Sequence, residues 1–354
     1  MSPAKRHEFS GLLLVVCGLL SMEALAHHGV VSNGALYLTD NFIELDGEVT
    51  EIFWRNPHVR GRMSVVDDSG EEIVWELELG PNPHRFEGRD IFADDLLGRV
   101  SVAGYRSKRD PSSLGVLHFL LPDGREWVQG NRELLWSNRQ LEEPAEQELD
   151  PAKVAAAERT ADGIFRVWSW VRGRSGERDL ESLLTSHGRD VAAGFDAAAD
   201  TPELDCKQGM PTTMLESEPM QIIGEPDRII IRRSKYDIER IVYLNNHSDV
   251  QPQASPLGHS IGRWERNVLV VETTHIDWPY TGLRGSGLPQ SNQASYRETF
   301  SLSDEEDGVL NYEIMITDSV MFTEPFTQGK SWQWIPGVEI EPYDCVAEWN
   351  ESTQ

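Results

Sequence analysis

The chain has 354 residues, 59 of them acidic against 32 basic, and a formal net charge of −27. A surface of that sign repels phosphate backbones and anionic lipid, which excludes nucleic acid and membrane surfaces as partners. Lysine occurs only at positions 5, 108, 153, 207, 235 and 330, so arginine supplies most of the positive charge.

Residues 1–26 read as an export signal. Lys5 and Arg6 form the positive end, Gly11 to Met22 the apolar core, and Ala24-Leu25-Ala26 the small-residue cleavage site. A bilayer span takes roughly 20 apolar residues, and this run is shorter. Cleavage is expected, giving a periplasmic or secreted protein with no integral membrane segment. It makes His27 the first residue. Cys17 lies inside the signal and follows Val16, which argues against a lipid anchor. Cys206 and Cys345 are then an even pair in an oxidising compartment, and a disulfide joining them is expected.

Residues 27–137 read as one β domain. Alternation marks strands at 42–45, 49–54, 58–66 and 72–79, then a short helical stretch at 89–97, then strands at 99–105 and 116–121. Five or six strands with one helix before the fourth suit a small barrel resembling the oligonucleotide/oligosaccharide-binding (OB) shape. Residues 138–162 form an acidic linker around Pro144 and Pro151, running into an Ala-rich helix. The second domain, 163–354, opens with a strap that carries Trp168, Trp170 and a helical stretch at 180–187. Eight strands follow, at 220–223, 228–233, 238–244, 259–264, 268–274, 295–302, 309–317 and 326–334. Short turns between them predict an eight-stranded, lipocalin-like, up-and-down antiparallel barrel. The fold class is therefore mainly all-β.

Several pieces carry a family resemblance. Ala26-His27-His28-Gly29, Leu45-Asp46-Gly47-Glu48-Val49-Thr50 and Trp54-Arg55-Asn56-Pro57-His58-Val59 resemble an exported bacterial family of unknown function. Its members begin at an A-H-H cleavage site and carry a "TNPH" element. The second half is similar to the companion region often fused to it. There the matching pieces are Asp205-Cys206, Gly209-Met210-Pro211, Gly262-Arg263-Trp264-Glu265, Leu269 to Thr274, Ile276 to Tyr280, Pro289-Gln290-Ser291 and Pro342-Tyr343-Asp344-Cys345. The chain departs from the family at Arg266-Asn267, where Gly-Asp is usual. The resemblance implies no activity.

A histidine at a mature N-terminus can chelate Cu(II) through its free amine and its ring, and a further imidazole completes a site that copper favours. His27, His28 and His58 are the metal candidates, with His84 and His118 behind them; the alternative is a polar, disordered start. No Cys-x-x-Cys and no helical His pair at zinc spacing is present. In the second domain His259, Glu272, His275 and Asp277 gather on one predicted hairpin, where a His–Asp pair could act as a general base. An ordinary polar rim is the alternative. Arg263, Trp264, Trp278, Tyr280, Trp332 and Trp334 are candidates for a ligand cavity, or else barrel core. The sequence lacks a Gly-x-Ser-x-Gly elbow, a phosphate loop and a dinucleotide fingerprint. Two functions remain: binding of a small, largely apolar ligand in the barrel, or a periplasmic isomerase, lyase or hydrolase with acid/base groups at the barrel mouth. Binding is favoured, since no complete catalytic set is present.

Overall fold

The computed structural model describes residues 34, 36–141, 149–170, 180–244, 251–281 and 287–347. Residues 1–26, read above as a signal, lie outside these residues with His27 and His28, as do 142–148 of the expected linker and 171–179 of the expected strap.

In the first unit, β1 (Tyr37–Phe53), β2 (Arg60–Val66) and β3 (Glu72–Glu78) form a meander. They are followed by β4 (Gly98–Ser107), β5 (Ser113–Leu120) and a short β6 (Glu126–Val128). β1 is long enough to serve two partners: its first part pairs with β4 and its second with β2, and the β2 register shifts between Val49 and Glu51. β3 then pairs in parallel with β5 through Leu77 and Leu114, closing the ring β1-β2-β3-β5-β4. That is the OB-like topology. Gly104 permits the closure: a Cβ there would lie 1.9 Å from the Gly115 carbonyl oxygen on β5. Met63, Leu77, Val102, Val116 and Phe119, each no more than 1% exposed, fill the interior.

The helix between β3 and β4 starts earlier than the predicted 89–97. Asn82 caps α1 (Pro83–Glu87) by accepting from the Arg85 amide at 3.0 Å, and Pro83 supplies a pre-set first φ. Residues 89–92 then turn, and only Ala93–Leu96 coil again, as a 3-10 turn. Buried Phe86 and Leu96 carry this segment onto the ring.

A buried carboxylate organises the other edge. Glu126, 0% exposed, accepts from the amides of Leu135, Trp136 and Ser137 at 2.9–3.0 Å, and His118 Nδ1 lies at 3.0 Å. Burial opposes its charge, but these donors outweigh it and hold the pKa below the usual carboxylate range. A depressed carboxyl pKa adds stability above the unfolded value near ~4.3, and that stability is lost as pH falls through the folded value. Glu126→Gln should therefore cost about 2 kcal/mol at neutral pH. The gap between variant and parent should narrow as urea midpoints are taken below about pH 4.

The second unit is a closed barrel of nine strands, one more than the alternation indicated. In ring order these are β7 (Val167–Trp170), β8 (Met220–Gly224), β9 (Arg228–Arg233), β10 (Ile238–Leu244), β11 (His259–Glu265), β12 (Val268–Thr274), β13 (Ser295–Leu302), β14 (Val309–Thr317) and β15 (Phe326–Trp334). The extra strand comes from the predicted strap: β7 pairs with β8 and with β15. Four residues are too few to show a period of two, so the sequence hides it. An odd ring cannot be antiparallel throughout. β10 and β11 are the parallel pair, with Val242 opposite Ser260.

The barrel interior is filled. Trp168, Trp332, Phe300 and Ile314 are all 0% exposed, and every residue from Gln208 to Glu216 is buried. That segment, with its single helical turn at Thr212–Leu215, packs on inward-facing side chains. Arg233 of β9 donates to the Glu216 carbonyl, Tyr296 of β13 to the Met210 carbonyl, and Lys330 of β15 to the Leu215 carbonyl. Gly209 is where Trp278 comes closest, since a Cβ would meet its ring at 2.5 Å.

The C-terminal tail joins both units. Cys345 forms a disulfide with Cys206. The Tyr343 amide donates to Asp237 at 2.8 Å, and the rings of Tyr343 and Tyr236 meet edge to face. On the other side Val346 donates to the Asn56 carbonyl at 3.2 Å, while the Asn56 side-chain amide donates to the Tyr343 carbonyl.

Candidate functional site

The linker helix α2 (Pro151–Thr160) stands at the barrel mouth where β7 begins and where β8 and β15 end. Asp150 caps it by accepting from the Ala152 amide at 2.8 Å, and Pro151 opens its first turn. Gly337 sits against Val154, where a Cβ would lie 2.9 Å from the Val154 nitrogen. Lys153 pairs with Glu339 at 3.0 Å. None of the α2 side chains is buried, because a cleft separates most of the helix from the barrel.

That cleft has a volume of about 520 Å³. Its helix wall is Lys153, Ala156, Ala157, Thr160 and Ala161; its barrel wall is Val167 and Gln221 to Gly224; Phe165, Arg166 and Trp334 to Glu339 complete it. The Arg166 guanidinium lies 4.4 Å from the centre of the Trp334 ring and 5.9 Å from that of Trp168. Its Nε is buried and, among the described residues, has no hydrogen-bond partner. An apolar slot with one oriented cation can hold and orient a small molecule. The described residues lining it hold no nucleophile paired with a base.

The sequence-derived candidates are dispersed. Trp334 lines the cleft, and Trp264, 41% exposed, touches its wall through an edge contact with Phe165 at 6.1 Å. Trp332 is core, set between Arg233 and Lys330 at 4.6 and 5.1 Å from its ring centre. Trp278 is half-buried against Gly209, and Tyr280 lies between Phe195 and Trp278 at 5.3 and 6.4 Å. Arg263 points outward and holds Glu272 at 2.9 Å; Arg297 reaches the same carboxylate at 3.3 Å.

His259 and His275 do come together, with ring centres 6.5 Å apart and Tyr243 stacked on His259 at 5.4 Å. Burial, helped by the neighbouring His275, lowers the His259 pKa. His275 shares a 2.8 Å hydrogen bond with Thr274 Oγ1. Asp277 is exposed, and its described bond is from its amide to Ser255. This group lies on the outer rim, away from the cleft lining.

Of the metal candidates, His58 Nδ1 is 2.8 Å from Glu78 Oε1, and Tyr37 donates to the other carboxylate oxygen at 2.5 Å. Burial raises the Glu78 pKa, but His58, Tyr37 and Arg60 outweigh it, and the net direction is down. His84 is exposed on α1 and His118 is buried on Glu126. Among the described residues no group of three or more His, Cys, Asp or Glu is placed to hold a metal ion.

Sequence reasoning missed Arg166, Phe165 and the alanine face of α2. The available signal was Arg166 two residues before a tryptophan in a run that follows an Ala-rich helix.

These features define a mainly β protein with a six-stranded sheet and a closed barrel that carries a cleft at its mouth. Residues 14–115, which run through β4 and into β5, match the model of a family of unknown function (DUF6152). No curated protein matches the chain.

Proposed function

We propose that the protein acts outside the cytoplasm as a binding protein, holding one small, largely apolar ligand in the cleft between α2 and the barrel mouth. The cleft carries this reading. Its volume of about 520 Å³ falls within the range of ~300–1,000 Å³ usual for small-molecule sites, and the larger part of its lining is apolar. The exported location draws support from the signal-like start and from the Cys206–Cys345 disulfide, a bond that oxidising compartments preserve.

The helix wall suits this role. A ten-residue helix is marginal alone, and the exposed Lys153–Glu339 pair adds little to it. A ligand would give its alanines the apolar surface to pack on that the barrel does not supply. The enzymatic alternative has less support, since Glu272 is held by two arginines on the outer face.

A neutral fluorophore such as 1-aminoanthracene tests the reading. The protein should bind one equivalent saturably. Ala157→Trp, which fills the cleft from an exposed helix, should weaken binding about tenfold or more with little change in melting temperature. Absence of saturable binding, or equal binding by the variant, would overturn the proposal.

A further inference from the structure

We infer that the ligand of this cleft is a monocarboxylic acid with an apolar body, its carboxylate received by Arg166. The inference rests on the binding function proposed above and adds the head group. Two observations carry it. First, charge: the ionisable residues lining the cleft are Lys153, Glu339 and Arg166, and the first two neutralise each other at 3.0 Å. One positive charge is left, which matches a monoanion and leaves a dianion such as a phosphate monoester half uncompensated. Second, orientation: stacking on Trp334 at 4.4 Å fixes the guanidinium plane beside the apolar wall. A planar donor edge held in this way suits the two oxygens of a carboxylate, which arginine receives through parallel hydrogen bonds.

The global charge of −27 works against any anion, so the local geometry at Arg166 must supply the selectivity. The acid is thus expected to be distinguished from its neutral analogues by this one residue.

Displacement of the neutral fluorophore by decanoate, decanol and decyl phosphate tests the inference at pH 7.5. Decanoate should displace it about tenfold more effectively than decanol, and more effectively than decyl phosphate. Arg166→Leu should abolish the preference for the acid, read as the ratio of decanoate to decanol competition constants in the same variant. Equal competition by acid and alcohol, a preference for the phosphate, or a preference that survives Arg166→Leu would overturn the head-group assignment and leave the binding function standing. Failure of the fluorophore itself to bind would overturn both.

Discussion

Glu298→Gln should destabilise the second unit by about 3–5 kcal/mol, the cost of stranding a buried charge. Arg240 and Glu298, 2% and 0% exposed in their side chains, face each other across the barrel interior from β10 and β13. Arg240 Nη1 and Nη2 donate to the two carboxylate oxygens at 2.8 and 2.5 Å, a bidentate arrangement. Ser260 and Thr273 accept from the guanidinium at 2.9 and 2.8 Å, and Tyr312 donates to Glu298 at 2.8 Å. Five strands, β10 to β14, therefore meet in one network. The glutamine variant keeps the shape and most of the hydrogen bonds but leaves the Arg240 charge uncompensated. The double variant Arg240→Met/Glu298→Leu removes both charges and should recover a large part of the loss, because desolvating an ion pair offsets much of its attraction. Urea midpoints of the two variants decide it. A double variant as unstable as the single one would show that the network is valued for its hydrogen bonds rather than for charge balance.

Cys345→Ser should have an effect of similar size by a different route. The bond closes a loop across a sequence separation of 139, and the chain-entropy model assigns such a loop up to about 5 kcal/mol. The loss acts on the unfolded chain, so the folded barrel should keep its spectrum while its denaturant midpoint falls. The tail also touches the first unit, so the same substitution loosens the joint at Asn56. Asn56→Ala separates the two effects. It leaves the disulfide and the Asp237 contacts in place, so barrel stability should stay within about 0.5 kcal/mol of the parent while the two units move more freely. Small-angle scattering reads the second quantity. A Cys345→Ser barrel as stable as the disulfide-bonded parent would end the entropic account.

Much of the architecture was legible because strands with one buried face must alternate. β11 to β15 show this: Leu269, Val271 and Thr273 share one phase of β12, and all three are buried. The disulfide was legible from parity and from the signal-like start of the sequence. The 208–216 segment was not, because Gly-Met-Pro-Thr-Thr-Met-Leu has neither helical nor strand period and reads as loop; only the interior that encloses it explains its burial. The Arg240–Glu298 pair had left a trace. Arg240 is in phase with Ile238 and Val242, and Glu298 with Tyr296 and Phe300, so each charge falls on the apolar phase of its strand. The cleft was the least legible feature, since Arg166, Ala157 and Trp334 meet only once β7 has been inserted between β8 and β15.

That insertion also sets the order in which the molecule can be completed. The first unit has all its strands within the first part of the chain and can fold as soon as β6 has been made. The barrel cannot, because β7 opens it and β15, which must pair with β7, is the last strand to appear. Until then the growing sheet keeps two open edges and β7 lacks one of its partners. Such long-range closure is slow and exposes strand edges to other chains. Synthesis therefore delivers a finished first unit followed by an unfinished sheet, and the residues that clasp Asn56 arrive only after the seam has closed. A chain truncated before residue 326 should retain a folded first unit and aggregate through the rest.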